Sequence, residues 1–255
     1  MIANYHAHTF RCRHAYGTET EYVEKAISRG LQIFGFSDHT PQFFPGDYYS
    51  FMRMYPQELN GYCETVRNLK KEYADKIRIP LGLETEYYPG TWKELLPRLQ
   101  DAGIEYMILG QHWLGNEQNE HGSGGATADE ALLKRYCRQV MEGLDTGKFT
   151  YLAHPDLFNF VGDRGIYRQH MKELCRFAKQ TGIPLEINLL GLLYNKHYPN
   201  PEFWALAAEE GCSVILGLDA HDPSHISNLQ PETMALEMVR RYGLNLLETV
   251  ELRPI

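Results

Sequence analysis

Positive charge is in short supply in this chain: 25 Lys and Arg stand against 33 Asp and Glu, a formal net charge of -8. That is the wrong sign for a surface that tracks a phosphate backbone, so nucleic acid is not the expected partner, although a local basic pocket can still hold one phosphate. Cysteine is sparse: Cys12, Cys63, Cys137, Cys175 and Cys212 form an odd set without a CxxC spacing. This argues against both a disulfide framework and a thiolate zinc site, and it fits a reducing cytoplasm. No run of ~18 apolar residues occurs, and the stretch from Met1 to His6 has neither the basic segment nor the apolar core of a signal peptide. The expectation is a soluble, cytoplasmic protein with no membrane partner. Also missing are a GxSxG elbow, a Walker A loop and a dinucleotide fingerprint after a strand, one of which a serine hydrolase, an ATPase or a dehydrogenase would need.

The chain has 255 residues, 43% of them hydrophobic and 23% charged, enough for a full-sized core. Roughly 150 residues per domain allows one or two domains, but barrels reach about 250 residues as one unit. No Pro/Gly/Ser-rich linker divides the sequence, so one domain over 1–255 is expected. Seven short apolar runs read as strands: Ile2 to His6, Leu31 to Phe36, Ile77 to Leu83, Tyr106 to Leu109, Phe149 to Ala153, Pro184 to Ile187 and Ser213 to Leu218. Between them the apolar spacing predicts helices opening at Thr18, whose Glu21 makes a capping-box spacing, and over Tyr55–Tyr73, Ala128–Leu144, Tyr167–Thr181 and Pro201–Glu210. Gly30, Gly147, Gly182 and Gly211 fall where a helix ends on a left-handed residue. This alternation predicts an α/β fold with a parallel sheet. The segment Gly115 to Thr127 is the clearest flexible loop, a lid or a solvated connection.

Histidine occurs 11 times, and its placement is not random. The expected strand ends carry His6-Ala7-His8, Asp38-His39, Glu84, Gln111-His112, His154-Pro155, Glu186-Ile187-Asn188 and Asp219-Ala220-His221. In a barrel of parallel strands these ends surround one shared mouth. His6 and His8 lie two apart, so an extended segment puts both imidazoles on one face, and the same holds for Asp219 and His221. Imidazole and carboxylate without thiolate suit Zn, Mn or Fe better than Ca or Mg. With three or four protein ligands per catalytic ion, the set His6, His8, His39, Glu84, His112, His154, Asp219 and His221 predicts two or three divalent metal ions sharing a carboxylate, for which Glu84 is the candidate.

The residues His6-Ala7-His8-Thr9, Cys12-Arg13-His14-Ala15, Phe36-Ser37-Asp38-His39, Gly82-Leu83-Glu84, Gln111-His112, Ala153-His154-Pro155-Asp156 and Gly217-Leu218-Asp219-Ala220-His221, taken in order, resemble the PHP (polymerase and histidinol phosphatase) family of metal-dependent phosphoesterases. Within it, the length and the stretch from His6 through Gly17 look most like the histidinol-phosphate phosphatases. The resemblance implies a distorted (β/α)7 barrel with a trinuclear centre at the C-terminal ends of the strands. It implies His6, His8, Glu84 and Asp219 around one ion, Glu84, His112 and His154 around a second, and His14, His39 and His221 around a third. It also implies a small-molecule phosphate ester as substrate, L-histidinol phosphate first. Oligomeric state is not legible.

Metal ions lower the pKa of bound water to about 7, and a pair of them stabilises attacking and leaving oxygens of an in-line displacement by a bridging hydroxide. Asp219 is the expected residue to orient that hydroxide and pass its proton to the leaving alkoxide, with His221 the competing choice. A phosphate dianion also needs cations. Arg164 is the first expectation, followed by Arg168, Arg13, Lys196 and His197. The family's phosphatases commonly have an arginine just after an Asn-x-x-Gly stretch, whereas this chain reads Asn188-Leu189-Leu190-Gly191-Leu192-Leu193-Tyr194-Asn195-Lys196, leaving Lys196 or His197 as a substitute. Glu186 and Asn188 should face the mouth, either to hold a substrate amino group or to orient a metal-bound histidine. Tyr87, Tyr88 and Trp113 line a leaving-group pocket or simply pack. His121, His170 and His225 read as surface residues. The alternatives are a family phosphatase for another small phosphate ester, an amidohydrolase-like hydrolase cleaving a C-N or C-O bond, and a metal-binding protein without catalysis.

Overall fold

The computed structural model describes residues 1–44, 46–118 and 121–255. Its first two strands, β1 (Ala3–Asn4) and β2 (Ile33–Phe34), pair in parallel. A second parallel sheet runs in sequence order through β3 (Phe36–His39), β4 (Leu81–Thr85), β5 (Tyr106–Leu109), β6 (Phe149–Leu152), β7 (Leu185–Asn188), β8 (Ser213–Gly217) and β9 (Asn245–Leu246). Backbone hydrogen bonds join the two pieces. Gly35 N donates to Asn4 O and Ser37 N to Ala7 O on one side, while His8 N donates to Ala220 O and Ala220 N to His6 O on the other. The N-terminal segment therefore stands between β2/β3 and the continuation of β8, and the parallel strands close into a distorted barrel.

The distortion has local causes. The run expected as one strand from Leu31 to Phe36 is broken at Gly35, where the Tyr106 hydroxyl comes within 2.9 Å of Tyr5 O and 3.0 Å of Phe36 O. A Cβ at Gly35 would collide with that hydroxyl. Asn4 is buried beside it, accepting from Leu218 N and donating to His6 O through its side-chain amide.

Strand alternation separates two cores. On β5, Tyr106 and Ile108 point inward to join Tyr5, Tyr151, Ala153 and Ile215 as the barrel floor, whereas Met107 and Leu109 pack outward under the helices. On β4 and β7 the outward residues are Leu81, Leu83, Leu185 and Ile187, and between them Glu84, Glu186 and Asn188 are buried. Above the tyrosine floor the interior thus turns polar, which is where the chemistry sits.

Outside the barrel run α1 (Glu19–Ser28), α2 (Leu59–Glu72), α3 (Trp92–Asp101), α4 (Glu130–Asp145), α5 (Arg164–Thr181), α6 (Leu189–Leu193), α7 (Pro201–Glu209), α8 (Pro223–Ser227) and α9 (Gln230–Tyr242). Thr18 and Glu21 form the expected capping box. Gly30, Gly147, Gly182 and Gly211 all have positive φ, between 66° and 82°. The sequence reading missed α3, α6, α8, α9 and β9. Among the described residues no helix is long and apolar enough to cross a membrane.

Candidate metal centre

Four donor atoms meet at the top of the barrel. His6 Nε2 lies 3.5 Å from Glu84 Oε2 and 3.4 Å from Asp219 Oδ1, and His8 Nε2 lies 3.5 Å and 3.1 Å from the same two oxygens. Bonds of about 2.0–2.1 Å in a tetrahedral site would set ligand atoms roughly 3.3–3.4 Å apart, so this spacing fits one ion. The other oxygen of Glu84, Oε1, lies 2.8 Å from His154 Nε2 and 3.4 Å from His112 Nε2. A third group forms where His14 Nε2 and His221 Nε2 approach to 3.0 Å beside His39. Glu84 therefore faces the first group through Oε2 and the second through Oε1, and Oε2 also lies 3.1 Å from His39 Nδ1 of the third.

Several of the donor atoms are buried and left without partners. His6 Nε2, both ring nitrogens of His8, His39 Nδ1, Glu84 Oε2, His154 Nδ1 and Asp219 Oδ1 are sealed from solvent with no hydrogen bond. Orphaned buried polar atoms are costly and rare, and so many in one place fit a cation centre in contact with them. Backbone strain points to the same spot: His154 (φ 28°) and Asp219 (φ 49°) hold left-handed conformations unusual for side-chain-bearing residues. The carboxylates also need room made for them. A Cβ on Gly110 would overlap the Glu84 carboxylate, and one on Gly217 would overlap that of Glu186.

A second layer holds the ligands. Glu186 Oε2 lies 2.7 Å from His6 Nδ1, and Asn188 Nδ2 donates to Glu186 Oε1 and to Asp219 Oδ2. Glu86 Oε1 lies 3.0 Å from His112 Nδ1, and Asp38 Oδ1 stands 3.5 Å from His8 Nδ1, an ion-pair distance without a hydrogen bond. Electrostatics follow from this crowding. Burial opposes charge on Glu84, yet His112, His6 and His39 outweigh it and hold the carboxyl well below its usual range. Asp219 is held low in the same way by His6, His8 and His221 against its burial. Burial also disfavours charge on His6 and His8, but the surrounding carboxylates prevail, raising His6 and bringing His8 to about 9. At His39 and His221 burial dominates, the His8 charge adds to it, and both are held well below the ordinary imidazole value. Both carboxylates are thus ionised and His39 and His221 neutral, the forms that ligate, whereas His6 and His8 hold a proton that a cation in this position would displace.

The centre floors an open cavity of about 720 Å³, walled by Met52, Trp113, Leu157, Leu190, Tyr194 and Tyr198. Lys196 is the lysine on its lining. Arg164 is not there: its side chain is 82% exposed and pairs with Glu202 on the barrel's outer layer, because the residue opens α5 and points away from the mouth. Arg168 also pairs with Glu202 and Glu209, and Arg13 with Glu58. His197 is turned aside, its Nε2 bonded to Leu157 O. Glu186 and Asn188 are fully buried behind His6 and Asp219, so of their two expected roles the geometry fits the orienting one and not contact with a substrate. Trp113 reaches the cavity, whereas Tyr88 is buried against Phe44.

Some residues of the site were not anticipated. His225, read as a surface residue, lines the cavity, accepts from His221 N and lies 3.0 Å from the Tyr194 hydroxyl. Arg53, Glu86 and Glu117 form a buried ionic cluster beside His112. The Gly115–Thr127 loop, apart from Asn119 and Glu120, which lie outside the described residues, is pinned as a wall. Trp113 bridges Gly122, Ser123 N bonds His112 O, and Gly122, Gly124 and Gly125 face the cavity.

Comparison with known proteins agrees with this geometry. The family model of the PHP domain matches residues 4–189. A Deinococcus radiodurans protein named as a probable histidinol-phosphatase is 30% identical over 240 residues, covering 88% of each chain. One of the same name from Schizosaccharomyces pombe is 33% identical over 253 residues, covering 89% of this chain and 82% of its own. The crystal structure of histidinol phosphate phosphatase from Lactococcus lactis, complexed with zinc, L-histidinol and phosphate, superposes with a TM-score of 0.76 at 19% identity, covering 98% of this chain and 96% of that one. Fold, site and relatives together define a metal-dependent phosphatase. The chain belongs to the PHP domain family.

Proposed function

We propose that this enzyme hydrolyses L-histidinol phosphate to L-histidinol and phosphate, a step of histidine biosynthesis, using two or three divalent ions drawn from Zn, Mn or Fe. The observation that carries the reading is the set of unpartnered, buried imidazole and carboxylate donors on the floor of one open cavity, in a chain whose relatives bear that activity's name. His6, His8, Glu84 and Asp219 would hold one ion, Glu84, His112 and His154 a second, and His14, His39 and His221 a third. Bound there, the ions would supply Lewis acidity toward the phosphoryl oxygens and lower the pKa of water to about 7.

The chain's own residues do the rest. Asp219 is ionised, is steadied at Oδ2 by Asn188 and keeps Oδ1 free of hydrogen bonds. It is placed to take the proton of the attacking water and deliver it to the leaving alkoxide. His221, with Nδ1 at 3.3 Å from Asp219 Oδ1, is the second candidate. Lys196, on the cavity lining, supplies the cation for the phosphate dianion in place of the arginine absent after Gly191. Trp113, Tyr194 and Tyr198 offer flat faces to an imidazole-bearing leaving group.

The test is phosphate release from L-histidinol phosphate beside a panel of sugar phosphates and nucleotides, with a chelated control. Selective, chelator-sensitive release from L-histidinol phosphate is expected. Stronger release from another ester would keep the phosphatase chemistry and reassign the substrate, the outcome that the missing arginine makes the leading alternative. No release from any ester would remove the function.

A further inference from the structure

Arg53 is 1% exposed, an unusual place for a guanidinium, and its hydrogen bonds run to Thr40, Glu86 and Glu117. Nη1 donates to Glu86 Oε2 at 2.9 Å and to Thr40 O at 3.0 Å, while Nη2 donates to Glu86 Oε1 at 2.9 Å. Nε donates to Glu117 Oε2 at 2.8 Å, and the Tyr48 hydroxyl donates to Glu117 Oε1 at 2.9 Å. One side chain therefore forks onto two carboxylates from different parts of the chain. Glu86 follows the end of β4, two residues past Glu84, and its Oε1 accepts a hydrogen bond from His112 Nδ1. Glu117 lies in the loop after β5, whose neighbours Trp113 and Gly122 wall the cavity.

Buried ionic clusters are a poor device for stability, because desolvation offsets most of the Coulomb gain. They are a good device for fixing geometry. An imidazole whose Nδ1–H is committed to a carboxylate must present Nε2 as its free donor, and here His112 Nε2 turns toward Glu84. A planar fork also holds two carboxylates in a set relation as a lysine cannot.

We propose that Arg53 is a positioning residue with two arms. The Glu86 arm sets the tautomer and aim of His112 at the metal centre. The Glu117 arm clamps the loop that forms the substrate wall. The inference rests on the metal-dependent reading above, and the two arms make different predictions. Glu86→Gln keeps the shape of the side chain but removes its charge, and should weaken binding of one ion by about 10- to 100-fold, lowering kcat. Glu117→Gln should leave metal affinity as in the wild type and raise KM several-fold, because only the wall is released. Arg53→Met should do both. If Arg53→Met does not fold, the two glutamine variants still carry the test.

The measurements are bound metal per chain and affinity for Zn²⁺ in competition with a chromophoric chelator, the Co²⁺ absorption spectrum, and the separate kcat and KM. Glu86→Gln binding its ions as tightly as the wild type, or Glu117→Gln matching Glu86→Gln in every readout, would overturn the proposal. A wild type that takes up no ion would remove the proposed function and this inference with it. A wild type that takes up its ions beside variants equal to it would remove this inference alone.

Discussion

Gly110 has no side chain, and the Glu84 carboxylate occupies the space that a Cβ there would fill. Gly110→Ala should therefore push Glu84 off its shared position and weaken both ion groups that it faces, lowering metal content and phosphate release by about 10- to 100-fold. Metal analysis and an assay on the folded variant check this. Asp219→Asn is the complementary change: it should cost about 10²- to 10⁴-fold in kcat, and full turnover with all ions retained would remove the proton-carrying role. Arg164→Ala should leave phosphate release within about twofold, as its surface ion pair predicts. The candidate donors were legible in the sequence because each follows an apolar run read as a strand, and alternation about Ala7 puts His6 with His8 on one face, whereas Asp219 reaches the same place through a left-handed backbone. The same alternation in Glu84-Thr85-Glu86 was available and would have found Glu86. Arg53 and Gly110 had no such mark, since their roles exist only through contacts with residues distant in sequence.

At the scale of elements, the strands supply two layers from one alternation: tyrosines and aliphatic residues at the barrel floor, ligands above. Tyr106 anchors this arrangement, its hydroxyl lying between the carbonyls of Tyr5 and Phe36 at the break between β2 and β3. Tyr106→Phe should cost about 1–3 kcal/mol, as buried acceptors are left unsatisfied, with kcat unchanged because the ring lies beneath the site. Urea denaturation alongside the assay would separate the two. Four helices escaped the sequence reading for identifiable reasons. Trp92, Leu95, Leu96 and Leu99 have helical spacing, but Pro97 stands inside α3 and reads as a stop, since it removes one backbone bond. The helices α6 and α8 are single turns capped by Asn188 and Asp222, too short to show a period. Pro231 in the first turn of α9 is a start signal, but the helix it opens has only two buried residues, Pro231 and Ala235, to mark a period.

At the scale of the molecule, the βα alternation made a parallel sheet legible, whereas its closure depends on His6 and His8 meeting Ala220, a pairing no local pattern reveals. Closure is also what gathers the candidate donors, because both ends of the chain contribute to one cluster. Ions that bind only the folded chain stabilise it by mass action, about 2.7 kcal/mol for one site at a hundredfold excess over Kd. Chelation should therefore lower the melting temperature by roughly 5–10 °C, restored by Zn²⁺ or Mn²⁺ and read by calorimetry. An unchanged melting temperature would mean that the ions do not bridge the barrel.

The most direct test is to titrate a divalent ion into chelated protein while measuring bound ions per chain and phosphate release from L-histidinol phosphate on the same samples. Release should be absent without metal and rise as the centre fills to two or three ions. Full release from metal-free protein, or a filled centre that hydrolyses no phosphate ester, would contradict the metal-dependent reading.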